Sequence, residues 1–313
     1  MSNDTSANAF DAYLDRMTGG SDAITRQYLN SLLIEMRLVG SGLASTEAEA
    51  FGLRLDTPIM LGAFGGYPML GENALLQEAQ AAAEANTVIW LGGFQPEEDV
   101  AQCVALGAKT VKVIKPYQDI ARFLGEAKRA EELGCVAVAT DLDHAYSKKT
   151  GDYDCDPKEG ALFGPKSVEE LAEAVNQLSV PLVVKGVLSV SDAMNCQKAG
   201  VRHILLSHHH SIMDYAVPPV MLLPEIRNAV GEDMTIIVDC GIDTGAEAFK
   251  ALALGADLVC SARAVMKALR KGGKDGVVDW IRQNTALLRS YLNRTGSPDI
   301  HHIDPTVIHK RAF

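Results

Sequence analysis

The chain has 313 residues, 47% of them hydrophobic and 22% charged, the balance of an ordinary globular protein. Its 29 basic and 40 acidic side chains leave a net charge of −11, which disfavours nucleic acid and anionic membranes as partners and requires any anionic ligand to find a local cationic pocket. The N-terminal MSNDTSANAFDAYLDRM has no apolar signal-peptide core, no apolar run reaches membrane-spanning length, and the six cysteines form no C-x-x-C pair, so the chain reads as a cytoplasmic protein with reduced thiols.

Residues 1–50 read as a mostly helical N-terminal extension and 51–313 as one domain. From Thr57 onward, short apolar runs alternate with longer helical ones. The spacing predicts strands at 57–63, 87–92, 109–114, 135–141, 181–186, 202–207, 234–240 and 257–262. Helical periodicity covers 72–85, 96–107, 118–134, 166–178, 189–200, 218–231 and 243–255, with a last helix within 275–293. The strands are almost continuously apolar, as strands covered on both faces are. Eight β/α units in a row predict an α/β fold of the closed (β/α)8 TIM-barrel type. An open doubly wound sheet is the alternative, but AFGGYPMLGEN after the first strand lacks its G-x-G-x-x-G fingerprint. The polar, Gly/Pro-rich stretch 144–167 is the candidate lid, and HHIDPTVIHKRAF reads as an irregular C-terminal arm.

Barrel sites are built at the C-terminal ends of the strands. Strand five ends in Lys185, a cation that is costly there unless it meets an anion; a salt bridge to Asp239 is the plain structural reading. Strand six ends in Ser207-His208-His209-His210, which offers a general base. Three histidines also suggest a metal, but neighbours on an extended strand end point in opposite directions and chelate poorly together, so no metal is expected. The Gly-bearing turn Asp239–Gly245 and the Ser261-Ala262-Arg263 turn each open a helix, and two such loops on strands seven and eight suit a phosphate.

These segments resemble the FMN-dependent α-hydroxy acid oxidase/dehydrogenase family. The resemblance is carried by PLVVKGVLSVSDA (181–193), Ser207-His208-His209, Met213-Asp214-Tyr215, IIVDCGIDTGAEAFKALALGAD (236–257) and SARAVM (261–266). It is weaker but colinear over 57–145, and YLDRMTGG resembles the family's helical entry segment. It implies FMN as cofactor, with Lys185 against the flavin N1/C2 carbonyl edge, His209 as the base and Asp239 orienting that histidine. It also implies that Gly241 and its loop, including Asp243, together with Ala262 and Arg263, hold the FMN phosphate. Gly62, Ala63 and Phe64 would pass beneath the ring, with Gly92, Gly93 and Ser207 also lining the cofactor. The family implies a homotetramer acting on a small, anionic 2-hydroxy acid.

The departures concern the substrate. Ile212 stands where the family carries its carboxylate-binding arginine, Asp243 replaces the arginine of the strand-seven loop, and Lys115 lies at the aromatic position after strand three. Arg16 and Lys115 are the expected replacements. Two other chemistries stay open: a redox-neutral flavin isomerase like type 2 isopentenyl diphosphate isomerase, and a flavin-free barrel lyase using Lys185 as a Schiff base.

Overall fold

A strand buried on both faces needs a sheet on either side and helices behind, and the eight apolar runs satisfy that need by closing on themselves. The computed structural model describes residues 20–210 and 212–311. Before the barrel come helix α1 (Gly20–Ser31), strand β1 (Leu32–Ile34) and the hairpin strands β2 (Ala48–Ala50) and β3 (Leu53–Leu55). The barrel strands are β4 (Ile59–Leu61), β5 (Val88–Leu91), β6 (Lys109–Ile114) and β7 (Ala137–Asp141), then β8 (Leu182–Val187), β9 (His203–Leu206), β10 (Thr235–Val238) and β11 (Leu258–Ser261). They pair in parallel, in chain order, and β11 pairs with β4 to close the ring. The predicted (β/α)8 barrel is therefore the observed one; β6 matches its expected run, β8 starts one residue later and ends one later, at Val187, and the other strands lie within the expected runs.

Strand alternation splits the core in two. Met60, Trp90, Val113, Ala139, Val183 and Ile237 face inward. Their neighbours Leu61, Ile89, Ile114, Val138, Val184 and Val238 pack on the helices outside. Those helices are α2 (Ala74–Glu84), α3 (Glu97–Ala105), α4 (Ile120–Glu132), α5 (Val168–Gln177), α6 (Val190–Lys198), α7 (Pro219–Val230) and α8 (Gly245–Ala253). Ser167 with Glu170 and Thr244 with Glu247 form capping boxes that fix where α5 and α8 begin. The β2–β3 hairpin closes the lower end, where Phe51 lies 5.3 Å from His203 and 6.3 Å from Trp90.

Three expectations need correction. The last helix, α9, runs from Arg263 to Thr295 and starts well before 275; it is broken at Gly273, whose φ of 57° and ψ of −143° interrupt it. Within 20–50 only α1 is helical, so the extension is not mostly helical over its described part. The C-terminal arm is not irregular: β12 (Ile308–Lys310) pairs antiparallel with β1, each strand satisfying the other's backbone groups.

One buried acid ties α2 to the loop after β4. Glu78 is fully buried and accepts a 2.8 Å hydrogen bond from the Tyr67 hydroxyl. Burial pushes its carboxyl up to about 8. A raised carboxyl keeps its proton in the folded state while the unfolded chain releases it, so this group costs stability progressively from about pH 4.5 to about pH 8. Glu78→Gln keeps the oxygen that Tyr67 needs and removes the ionisation. Denaturation at several pH values should show the variant gaining roughly 1–3 kcal/mol over the parent at pH 8. Near pH 4 the two should be alike.

Candidate active site

The mouth of the barrel is organised by charge. Asp141, the last residue of β7, is in register with Lys185 of β8, and its carboxylate is 3.2 Å from the Lys185 ammonium. Lys115, just past β6, donates to the same carboxylate at 2.9 Å. Asp143 completes the set, 3.9 Å from Lys185. All four side chains are at least nine-tenths buried. Burial alone would raise both carboxyls. Lys115 and Lys185 outweigh it at Asp141, which sits well below the usual carboxylate range, and Lys185 and His209 hold Asp143 down to about 2. Burial likewise opposes the charge on Lys185, but Asp141 and Asp143 keep it above an ordinary lysine. The Schiff-base alternative fails here, because it needs a neutral amine and Lys185 is locked as an ammonium ion.

His209 enters this group from β9. Its backbone has φ of 47°, His210 follows at 52°, and the His209 N–H donates to Ser207 Oγ at 3.0 Å. This left-handed turn, rather than the alternation of an extended strand end, sends the three histidines apart. His208 Nε2 pairs with Thr25 Oγ1 at 2.8 Å, and His210 Nδ1 stands 3.5 Å from Asp22. His209 lies in the cleft with Nδ1 3.0 Å from Lys185 Nζ and 3.1 Å from Asp143 Oδ1. Its Nε2 is 3.1 Å from Nε2 of His144. Burial, then the charge of His209, presses the His144 pKa down to about 4, so that ring is neutral near pH 7.

The expected role of Asp239 is thereby corrected. The carboxylate beside His209 is Asp143, and those nearest Lys185 are Asp141 and Asp143. Asp239 instead accepts from the Cys240 backbone N–H, the neighbouring residue having φ of 67°. Gly186 makes the Asp143 contact possible. It has φ of 89°, and a Cβ there would lie 2.9 Å from the Asp143 backbone nitrogen. Asp143, His144 and Gly186 were missed in the sequence, although the acids of Thr140-Asp141-Leu142-Asp143, two apart at a strand end, were a usable signal.

Opposite the charges the wall is small and polar-poor. Ala63, Phe64 and Gly65 after β4, and Gly92 and Gly93 after β5, line the same cleft as Lys115, Asp141, His144, Lys185, His209 and His210. The Gly62 N–H donates to Ser261 O at 2.8 Å, bringing Gly62 beside Ala262. Further round, Arg263 donates to Asp22 of α1 at 2.9 Å. Arg26 of α1 reaches the strand-seven loop, at 2.5 Å from Asp243, 2.8 Å from Glu247 and 2.9 Å from Gly241 O. Arg16 lies outside the described residues. The donor set fits FMN: a buried ammonium for the electron-rich ring edge, glycine and alanine edges that leave a planar ring room, and a guanidinium at the strand-eight helix start for phosphate. The expected lid, 144–167, is tied down by bridges between Tyr146 and Tyr153, Cys155 and Leu162, and Tyr117 and Phe163.

A closed parallel barrel with an imidazole and a lysine at such a mouth defines a flavin-type oxidoreductase site. Residues 5–155 and 158–310 match the FMN-dependent dehydrogenase family. A 2-hydroxyacid oxidase of Dictyostelium discoideum is 26% identical over 337 residues, 96% of this chain and 85% of that one. A 4-hydroxymandelate oxidase of Amycolatopsis orientalis is 28% identical over 267 residues, 74% of each. A solved structure of a mandelate oxidase variant with an FMN adduct superimposes with a TM-score of 0.84 at 26% identity, covering 96% of both chains. The chain belongs to the FMN-dependent dehydrogenase family, and it is an oxidoreductase with FMN as its cofactor.

Gly186→Ala tests the support under His209. The added methyl forces a strained φ and pushes Asp143 away. The variant should keep FMN, as judged by its visible spectrum, yet reduce it at least tenfold more slowly with a competent substrate. A reduction rate equal to the parent's would show that the Asp143 contact is dispensable.

Proposed function

We propose that the chain oxidises a small, anionic 2-hydroxy acid to the 2-oxo acid, with His209 taking the hydroxyl proton. The observation that carries this reading is the contact of one imidazole with both a buried ammonium and a buried carboxylate, at distances of 3.0 and 3.1 Å. Asp143 steadies the ring; Lys185 supplies positive charge where electron density arrives. Bound FMN supplies the two-electron acceptor. In this proposal Gly62, Ala63, Phe64, Gly92, Ser207, Asp239, Gly241, Asp243, Ala262 and Arg263 surround the cofactor, and Lys115 borders the substrate. The names of the relatives, oxidases of 2-hydroxy acids and of 4-hydroxymandelate, support the substrate class and give no support to an isomerase.

The same proposal includes a homo-oligomer, supported by the exposed apolar run of Leu33, Met36, Leu38, Val39 and Leu43. A reducing, cytoplasmic setting is supported by six free cysteines, five of them buried. Among the described residues no helix is long and apolar enough to cross a membrane.

The decisive experiment is anaerobic mixing of the FMN-loaded protein with a panel of 2-hydroxy acids. At least one should bleach the oxidised-flavin band. His209→Ala should stay yellow and bleach at least a hundredfold more slowly, within the usual range for loss of a general base. No bleaching by any member of the panel, or equal rates in the variant, would overturn the proposal.

A further inference from the structure

Gly92, Gly93, Phe94 and Gln95 form one wall of the cleft. Three carbonyls of this loop converge on one ammonium behind it. Lys112 Nζ donates to Gly92 O at 2.6 Å, to Gly93 O at 3.1 Å and to Gln95 O at 3.0 Å. Strand alternation puts the lysine there: Val111 and Val113 point into the barrel, so Lys112 stands on the outer face of β6. It is only 7% exposed, which is rare for a lysine without a carboxylate partner. The cleft side of the loop rests on Lys115, just past the same strand. A Cβ on Gly93 would stand 2.8 Å from Lys115 Cε, and the Phe94 ring centre is 5.2 Å from the Lys115 ammonium. Residues 92–95 are thus gripped from two sides, by Lys115 within the cleft and by Lys112 behind it.

Among the described residues the Lys112 ammonium has no other partner. The acids lining the cavity behind it are paired elsewhere. Glu97 meets Arg129 at 2.8 Å, Glu126 and Glu159 meet Arg122 at 3.1 and 2.8 Å, and Asp156 lies 3.7 Å from Arg122. Lys158 on the same cavity adds like charge. Towards the barrel, Asp141 is bound to Lys115 and Lys185. Burial pushes the Cys135 thiol and the Tyr117 hydroxyl upward, so both stay neutral. Burial also brings Lys112 itself down to about 8. An ammonium has three N–H groups, one for each carbonyl, whereas a neutral amine has two. The complete clasp therefore needs the protonated side chain.

We propose that Lys112 is a positioning residue: by clasping three carbonyls it holds loop 92–95 in the shape that receives the substrate, and the loop loosens when the ammonium gives up its proton. Lys112 does not line the cleft and acts through the loop alone. The clasp stands on the hydrogen bonds; its effect on turnover rests on the proposed oxidation of a 2-hydroxy acid.

The test compares FMN-loaded parent with Lys112→Met, which keeps an unbranched apolar stem and removes the donors. Amide hydrogen exchange over 92–97 should be at least fivefold faster in the variant at pH 7. In anaerobic bleaching by a competent hydroxy acid, the half-saturating concentration should rise at least fivefold at pH 7. The limiting rate should stay within twofold, because His209 and Lys185 are untouched. Titrations common to both proteins cancel in the variant-to-parent ratio. That ratio should shrink as pH rises through about 8, where the parent loses its third donor; a lysine that only fills space would give a ratio independent of pH. If Lys112→Met does not fold, Lys112→Gln serves instead, with an uncharged NH2 group and the same direction of change. The proposal is overturned if exchange over 92–97 is equal in variant and parent, if the half-saturating concentration is unchanged at pH 7, if its ratio is the same at pH 7 and pH 9, or if only the limiting rate falls. A parent that bleaches with no hydroxy acid refutes the proposed reaction, while hydrogen exchange still decides whether Lys112 holds the loop.

Discussion

Everything at the barrel mouth depends on two ammonium groups and two carboxylates that are buried together. None of Lys115, Asp141, Lys185 and Asp143 is tolerable there alone, since an uncompensated buried charge costs several kcal/mol. Together they are neutral. The register of β7 on β8 sets Asp141 beside Lys185, and Lys115 comes from β6, so one carboxylate links three neighbouring strands. Removing one partner of such a group costs about 3–5 kcal/mol, a large share of the 5–15 kcal/mol by which domains are stable. The quartet therefore persists as a unit, and His209 takes its orientation from it through Asp143 and Lys185.

The barrel was legible because its strands are buried on both faces and announce themselves as apolar runs, KTVKVI and PLVVKG among them. His209 and Lys185 were legible because a titratable residue at the end of an apolar strand is conspicuous. Their partners were not. Asp143 and His144 open a polar stretch that reads as lid, and nothing local in it shows that residue 143 will meet residues 185 and 209. Asp239 was the candidate that the family resemblance supplied, yet the left-handed backbone at Cys240 turns its carboxylate back onto its own chain. Ends of helices and strands were legible where a capping box or a glycine stands. The kink of α9 was not, since Gly272-Gly273 reads as a stop rather than a break.

The loops after β10 and β11 show one glycine pattern serving a second purpose. Gly241 suits the approach of a phosphate, but its missing Cβ also admits α1: a methyl there would lie 2.8 Å from Leu29 Cδ1 and 3.0 Å from Thr25 Cγ2. Through that close approach α1 delivers Arg26 to Asp243 and Asp22 to Arg263. Asp243 has displaced the arginine the family pattern places in that loop, yet a guanidinium stands beside it all the same, brought from a different element. Such a replacement cannot be read along the chain, because it depends on where α1 lands.

The same accounting of charge bears on how an anion is recognised with Ile212 in place of an arginine. Lys115 and Lys185 are each committed to Asp141, so a carboxylate drawing on either would leave that aspartate under-compensated in a dry site. In the resting cleft the quartet presents no net positive charge. In the proposed reaction, where His209 accepts the hydroxyl proton, the balance changes by one unit, within reach of the substrate. An anionic substrate is then held more strongly as the reaction proceeds than when it first arrives. An interaction that grows along the reaction coordinate lowers the barrier, whereas a fixed arginine would stabilise the bound substrate and the transition state more nearly alike.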